Sequence, residues 1–295
     1  RQFALVPVLG GALLAILVGI CIMGSGKRIV KVTGVLVPVM GVLYIIMALI
    51  VMVLNAGMLP EVLRRIFVGA FDFKAIFGGA AGFGSSALMQ GIKRGLYSNE
   101  AGVGSAPNAA AAADVSHPVK QGLVQMLSVF IDTILVCTAT AMMCLCTGII
   151  PSEELKGAPF VQASLSTTFG PVGPYFITFA LLLFAFTTLL GNLFYCEGCL
   201  NYIAGRTISH RQLNVFHAFA CIVVFIGAQM KFGLVWDIAD VLMGIMALIN
   251  LPVILRLGGT AMRALSDYMK QRREGRDPVF KAKNIALKEK TDYWN

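Results

Sequence analysis

The sequence predicts an all-helical polytopic membrane protein, and three observations carry that prediction. Only 13% of its 295 residues are charged and 57% are hydrophobic, with a mean hydropathy of +0.79. A soluble domain carries about 25% charged residues, so this chain has too little polar surface to face water on all sides. Apolar runs of about 20 residues recur, long enough as helices to cross a hydrocarbon core about 30 Å thick. Basic residues gather at one end, with ten of the 24 at or after Arg256.

About seven spans follow in order. The first covers Phe3 to Met23 and ends at "GSGKR"; the second covers Val30 to Leu54. An amphipathic interfacial segment, "MLPEVLRRIFVGAFDFKAIF", comes next. The third apolar stretch, Ile76 to Ile92, is built of small residues. Behind it lies "GLYSNEAGVGSAPNAAAAADVSHP", Gly95 to Pro118, which has no apolar stripe. A fourth span covers Gly122 to Ile149, and a polar connector, "PSEELKGAPFVQASLSTTFGPVGP", leads to the fifth, Tyr175 to Tyr195. The sixth covers Val215 to Ala228 and the seventh Leu234 to Leu255. Residues 1–257 thus read as a transmembrane domain and residues 258–295 as a basic amphipathic helix and tail. The opening "RQFALVPVLGG" has no initiator Met and no signal-peptide pattern, so a longer protein is expected.

Charge sets the expected orientation. If the spans alternate, Lys27, Arg28, Lys31, Lys93, Arg94, Arg206 and Arg211 fall on the side of the basic tail. The other side mixes Glu61, Asp72, Glu153 and Glu154 with Arg64, Arg65, Lys74, Lys156 and Lys231. The positive-inside rule then puts the C-terminus and the Gly95–Pro118 stretch in the cytoplasm of a cell-membrane protein. The net charge of +9 is concentrated beside a span, which points to anionic lipid headgroups rather than nucleic acid.

Several residues bear possible chemistry. Gly82-x-Gly84-x-x-Ala87 matches a dinucleotide fingerprint as a string, but that motif needs a preceding strand and here lies in a membrane segment. Gly78-xxx-Gly82 and Gly91-xxx-Gly95 suit close helix packing. Together with Ser85, Ser86 and Gln90, the same glycines also suit a locally unwound helix that offers backbone groups to a ligand. Asp132 is an acid deep in the fourth span, either hydrogen-bonded to a neighbour or an ion or proton site. Thr187 and Thr188 are adjacent hydroxyls followed by Gly191 and Asn192. They either bond carbonyls one turn back or supply hard oxygen ligands to a sodium ion. Glu197 reads as a paired or solvated charge at a helix end, His117 as a turn and helix-start residue before Pro118, His210 as a loop residue and His217 as an interface residue. Cys196-x-x-Cys199 lacks the second pair or His of a tetrahedral metal site. With no HExxH, GxSxG or paired carboxylates, an enzyme is disfavoured.

"RGLYSNEAGVGSAPNAAAAA", "HPVKQGL", "FIDTILVCTATA" and "FAFTTLLGN", in that order, resemble the sodium:alanine/glycine symporter family. The resemblance implies a leucine-transporter-like inverted-repeat fold, with the spans here as helices four to ten and the glycine-rich third span as the broken helix six. Helices one to three would lie outside this sequence. It implies Na+ as coupling ion, no organic cofactor, and a small neutral amino acid, alanine or glycine, carried inward by alternating access. Another amino acid such as glutamine or D-alanine, or proton coupling, stays open, with a membrane-embedded enzyme or sensor as the remote alternative. By the same resemblance Thr187 and Thr188 ligate sodium, and Met89, Gln90, Gly91 and Asn192 line the substrate pocket. Asn192 stands where many members carry Trp. Asn99 and Glu100 would form a gate or a structural network.

Overall fold

A computed structural model describes residues 7–22, 26–73, 87–150, 152, 155, 157–287 and 294. Helices are the only regular structure among the described residues, with no strand among them. In chain order the helices are α1 (Pro7–Ile22), α2 (Gly26–Leu54), α3 (Leu59–Ala70), α4 (Ala87–Ser98), α5 (Ala106–Ala110) and α6 (Pro118–Phe130). A π-helical turn, Ile131–Val136, joins α6 to α7 (Cys137–Leu145). Then come α8 (Ala158–Phe169), α9 (Val172–Ala204), α10 (His210–Gln229) and α11 (Phe232–Arg273). A 3-10 turn, Ala282–Ile285, lies in the tail.

Local sequence explains the boundaries. His117 caps α6 by accepting the Val119 N–H on its ring, and Pro118 fills the first turn, where a missing N–H costs nothing. Ser209 and Gln212 form a reciprocal capping box that starts α10. Gly205 ends α9 in the left-handed conformation, at φ +61°.

Among the described residues five helical segments are long and apolar enough to cross a membrane: Ile29–Leu54, Pro118–Leu145, Val172–Ala204, His210–Gln229 and Phe232–Arg273. That is fewer than the seven spans expected. The first, α1, has 16 residues and so measures about 24 Å at 1.5 Å per residue, short of the hydrocarbon thickness. The third is described only from Ala87, as the 12-residue amphipathic α4. Gly78, Gly82, Gly84, Ser85 and Ser86 lie outside the described residues, and with them most of the expected helix break. Part of the connector before the fifth span is helical, because α8 supplies an apolar face with Leu165 fully buried.

The chain forms two compact units. Unit 1 comprises Arg1–Lys93 and Thr133–Trp236. One core joins Tyr44, Ala48 and Val51 of α2 to Met143 of α7, Leu165 of α8 and Ile177 of α9. A second joins Val18 and Ile22 of α1 to Ile29 of α2, Leu190 and Leu193 of α9 and Ala220 of α10. Small residues set the closest approaches: a Cβ on Gly11 would meet Ala228 Cβ at 2.8 Å, and one on Gly173 would meet the Leu165 carbonyl oxygen at 2.6 Å. Polar side chains inside this unit find one another, as at Tyr44 Oη and Thr140 Oγ1 (2.9 Å) or Gln162 and Thr178 (2.9 Å).

Unit 2 comprises Arg94–Asp132 and Asp237–Asn295. Here the tail folds back on α11. Phe280 and Ile285 pack with Ala264, and Val119, Leu287 and Trp294 close over them. The helix α11 runs uninterrupted through Leu257–Gly258.

Candidate functional site

The expected ion and substrate residues sit on two helices. Thr187, Thr188 and Asn192 belong to α9, and Met89, Gln90 and Gly91 to α4. Successive residues of a helix diverge by about 100°, and the structure shows the consequence. Thr187 lies on the buried stripe of α9 with Ile177, Ala180, Leu190 and Leu193. Thr188 and Asn192, four residues apart on another face, are exposed.

Thr187 Oγ1 donates to the carbonyls of Leu183 (3.0 Å) and Phe184 (3.1 Å). The back-bond expected of a helical hydroxyl is therefore made. It uses the proton and leaves the oxygen lone pairs, which is what a cation needs. Thr188 presents its hydroxyl from the exposed face. The adjacent hydroxyls are thus not two arms of one claw; a shared ion would have to lie along the edge between the two faces.

Met89, Gln90 and Gly91 fall in regular helix. Gln90 and Gly91 are exposed and Met89 is half-buried. Among the described residues α4 is not one of the helices that pack extensively against α9.

Other polar groups are assembled more tightly. Glu197 of α9 meets His217 of α10 at 2.6 Å, with side chains only 14% and 4% exposed. Among the described residues no partner reaches His217 Nδ1, a buried polar atom left unsatisfied. Asp132 occupies the π-helical turn, a kind of turn frequent at functional positions. Among the described residues no group of three or more His, Cys, Asp or Glu side chains could hold a metal ion.

The stretch after α4 folds onto α11 within unit 2. Asn250 donates to the carbonyls of Ala101 (2.9 Å) and Gly102 (3.0 Å). Asn99 closes an Asx turn by accepting the Ala101 N–H at 3.1 Å. Glu100, held at φ +59°, accepts from Ser105 Oγ at 2.8 Å. Tyr97 Oη donates to the Asp240 carbonyl at 3.2 Å, and Arg94 pairs with the Asp240 carboxylate at 3.3 Å. The glycines are there for proximity: Gly104 has φ +93°, and a Cβ on it would meet Asn250 Cγ at 2.6 Å. Asn99 and Glu100 thus bond within their own loop. Sequence reasoning missed Asn250, whose only signal was an amide inside an otherwise apolar span.

Residues 1–282 match the sodium:alanine symporter family. The chain belongs to that family. It is 43% identical over 281 residues to the amino-acid carrier protein AlsT of Bacillus subtilis, covering 95% of this chain and 59% of that protein. It is 40% identical over 264 residues to the sodium/alanine symporter AgcS of Methanococcus maripaludis, covering 88% and 56%. It is 42% identical over 270 residues to the "Probable sodium/glutamine symporter GlnT" of Bacillus subtilis, covering 92% and 55%. The chain thus spans a little under three-fifths of the length of these relatives. The Gly95–Pro118 stretch, packed onto α11, lies within the residues matched by the family.

Proposed function

We propose that the protein is a sodium-coupled symporter that carries a small neutral amino acid, alanine or glycine, into the cell by alternating access. The observation that carries this reading is family membership across residues 1–282, joined to 40% identity with a protein named a sodium/alanine symporter. Thr188, with Thr187 behind it, contributes hydroxyl oxygens to the sodium ion. Asn192 lies one turn on, and Met89, Gln90 and Gly91 line the amino-acid pocket from α4. A leucine-transporter-like pair of inverted repeats, with this chain as helices four to ten, supplies the rocking bundle. The C-terminus faces the cytoplasm.

Energetically, sodium and amino acid must favour the same closed state, so each raises the other's affinity by the same factor. The charged ends of the amino acid are met by helix termini and bare backbone groups. A 42%-identical relative named as a glutamine symporter supports glutamine as the second substrate reading.

The test is uptake of radiolabelled alanine into proteoliposomes holding the full-length protein, with and without an inward sodium gradient, and with unlabelled glycine and glutamine as competitors. Sodium-driven uptake blocked by glycine is expected. Uptake indifferent to sodium would sink the coupling, and competition by glutamine alone would transfer the assignment to the larger side chain.

A further inference from the structure

The tail of unit 2 builds a feature that amino-acid transport does not require. Between the end of α11 and the returning chain lies an open cleft of about 1160 Å³. Arg263 and Lys270 line it from the helix, and Lys281 and Lys283 from the tail. None of the four has a carboxylate partner among the described residues.

The two carboxylates lining the same cleft are already engaged. Asp267 Oδ2 accepts from Gln271 Nε2 at 2.8 Å and faces His117 Nε2 at 3.4 Å, and Asp267 Oδ1 accepts from Asn284 at 3.4 Å. Asp277 pairs with Lys120 at 2.8 Å. The cleft therefore presents net positive charge to whatever enters it.

Its shape is held from both ends. Gln271 clamps the Val279 backbone with two hydrogen bonds, donating to its carbonyl (3.1 Å) and accepting its N–H (3.0 Å). Phe280 N–H donates to the Ser116 carbonyl at 2.9 Å, and Ser116 Oγ donates to the Pro278 carbonyl at 3.0 Å. A solvated basic tail has no need of such fixing.

Position identifies the occupant. The apolar part of α11 ends near Leu257, and Arg263 comes six residues later, about 9 Å along the axis at 1.5 Å per residue. The headgroup layer on each side of a bilayer is about 5–8 Å thick, within reach of an arginine side chain from that point. The helix is also two-faced there. Leu255, Met262 and Met269 recur every seven residues and are 83%, 63% and 44% exposed. Arg256, Arg263 and Lys270 form the adjoining stripe at the same spacing. Seven residues return to nearly the same side of a helix, so apolar and cationic stripes run side by side. Val279, 50% exposed, adds an apolar contact on the tail side of the cleft.

We propose that this cleft is a binding site for the phosphate headgroup of an anionic phospholipid, with Arg263, Lys270, Lys281 and Lys283 around the phosphate. The site rests on the membrane-spanning character of α11 and not on which solute the protein carries.

The full-length protein in nanodiscs of phosphatidylcholine, with or without phosphatidylglycerol, provides the test. Native mass spectrometry would count retained lipid, and thermal unfolding would follow stability. The wild type is expected to retain phosphatidylglycerol selectively and to melt higher in its presence. The variant R263Q/K281Q/K283Q should bind it roughly 100-fold more weakly, while the charge-retaining R263K/K281R/K283R should hold it. If the neutralised variant unfolds, the wild type alone decides, because its selectivity must fade as salt is raised. Equal retention of both lipids by the wild type, or undiminished retention by the neutralised variant, overturns the proposal. So does equal stabilisation by inorganic phosphate or glycerol phosphate in lipid-free detergent, which would make this a site for a soluble anion.

Discussion

The ring Nε2 of His217 lies 2.6 Å from Oε1 of Glu197, joining α10 to α9 through a pair that is almost out of contact with solvent. A buried pair of this kind is weak evidence for net stability, yet removing one partner costs about 1–3 kcal/mol because the other is left with an unsatisfied polar atom. Glu197→Ala is therefore expected to lower the melting temperature sharply. His217→Ala in the same background should add little, giving a coupling energy of about 0.5–3 kcal/mol in a double-mutant cycle. Additive losses would show that the contact carries no energy of its own.

Thr187 and Thr188 should separate in a transport assay. Thr188→Ala removes an exposed hydroxyl, so thermal stability should hardly change. The half-maximal sodium concentration should rise about tenfold, the equivalent of roughly 1.4 kcal/mol. Thr188→Ser keeps the oxygen and should restore the wild-type requirement. Sodium dependence unchanged in Thr188→Ala would remove that residue from the ion site.

Stability of the unit 2 clasp should depend on pH through His117. Its ring is fully buried and edge-on to Tyr268 and Phe280. Burial pushes its pKa below the ordinary value, against the opposing pull of Asp267, with Lys120 adding slightly to the depression. A folded-state pKa below the unfolded one means that the unfolded chain binds more protons. The stabilising contribution is then complete above the unfolded value of about 6.5 and is lost as pH falls from there toward the folded pKa. Thermal melts across this range should show the loss for the wild type, and His117→Gln should flatten it. An identical slope in both proteins would assign the pH dependence to other groups.

Gly104 should tolerate no side chain. Its φ of +93° disfavours any L-residue, and the new Cβ would sit 2.6 Å from Asn250 Cγ. Gly104→Ala is expected to destabilise by about 2–4 kcal/mol, combining backbone strain with overpacking. Asn250→Ala would relieve much of the clash, though its own Cβ stays 3.0 Å away, and would strip the carbonyls of Ala101 and Gly102 of their donor. The double variant should therefore remain less stable than the wild type in thermal unfolding.

Several features were legible because they are local. Apolar length marks α2, α9, α10 and α11, and His117-Pro118 reads as a helix start from two residues. The Gly95–Pro118 string resembles its family by sequence alone. The tighter features join distant parts of the chain. Asn250 and Gly102 are 148 positions apart, and His117 and Asp267 are 150 apart. No periodicity in either segment names its partner, so the sequence singles out neither Asn250 nor the partner of Glu197.

By itself the sequence determined the class: a helical chain in a membrane, its family, and a cationic C-terminal end. These follow from composition, run length and an ordered string, all of which survive any rearrangement of the helices in space. Only the tertiary structure decided which of two neighbouring threonines turns inward, which histidine meets Glu197, and that the basic tail folds back into a cleft instead of trailing in water. Those outcomes depend on burial and on which distant donor reaches which acceptor. Such quantities exist only once the helices have packed.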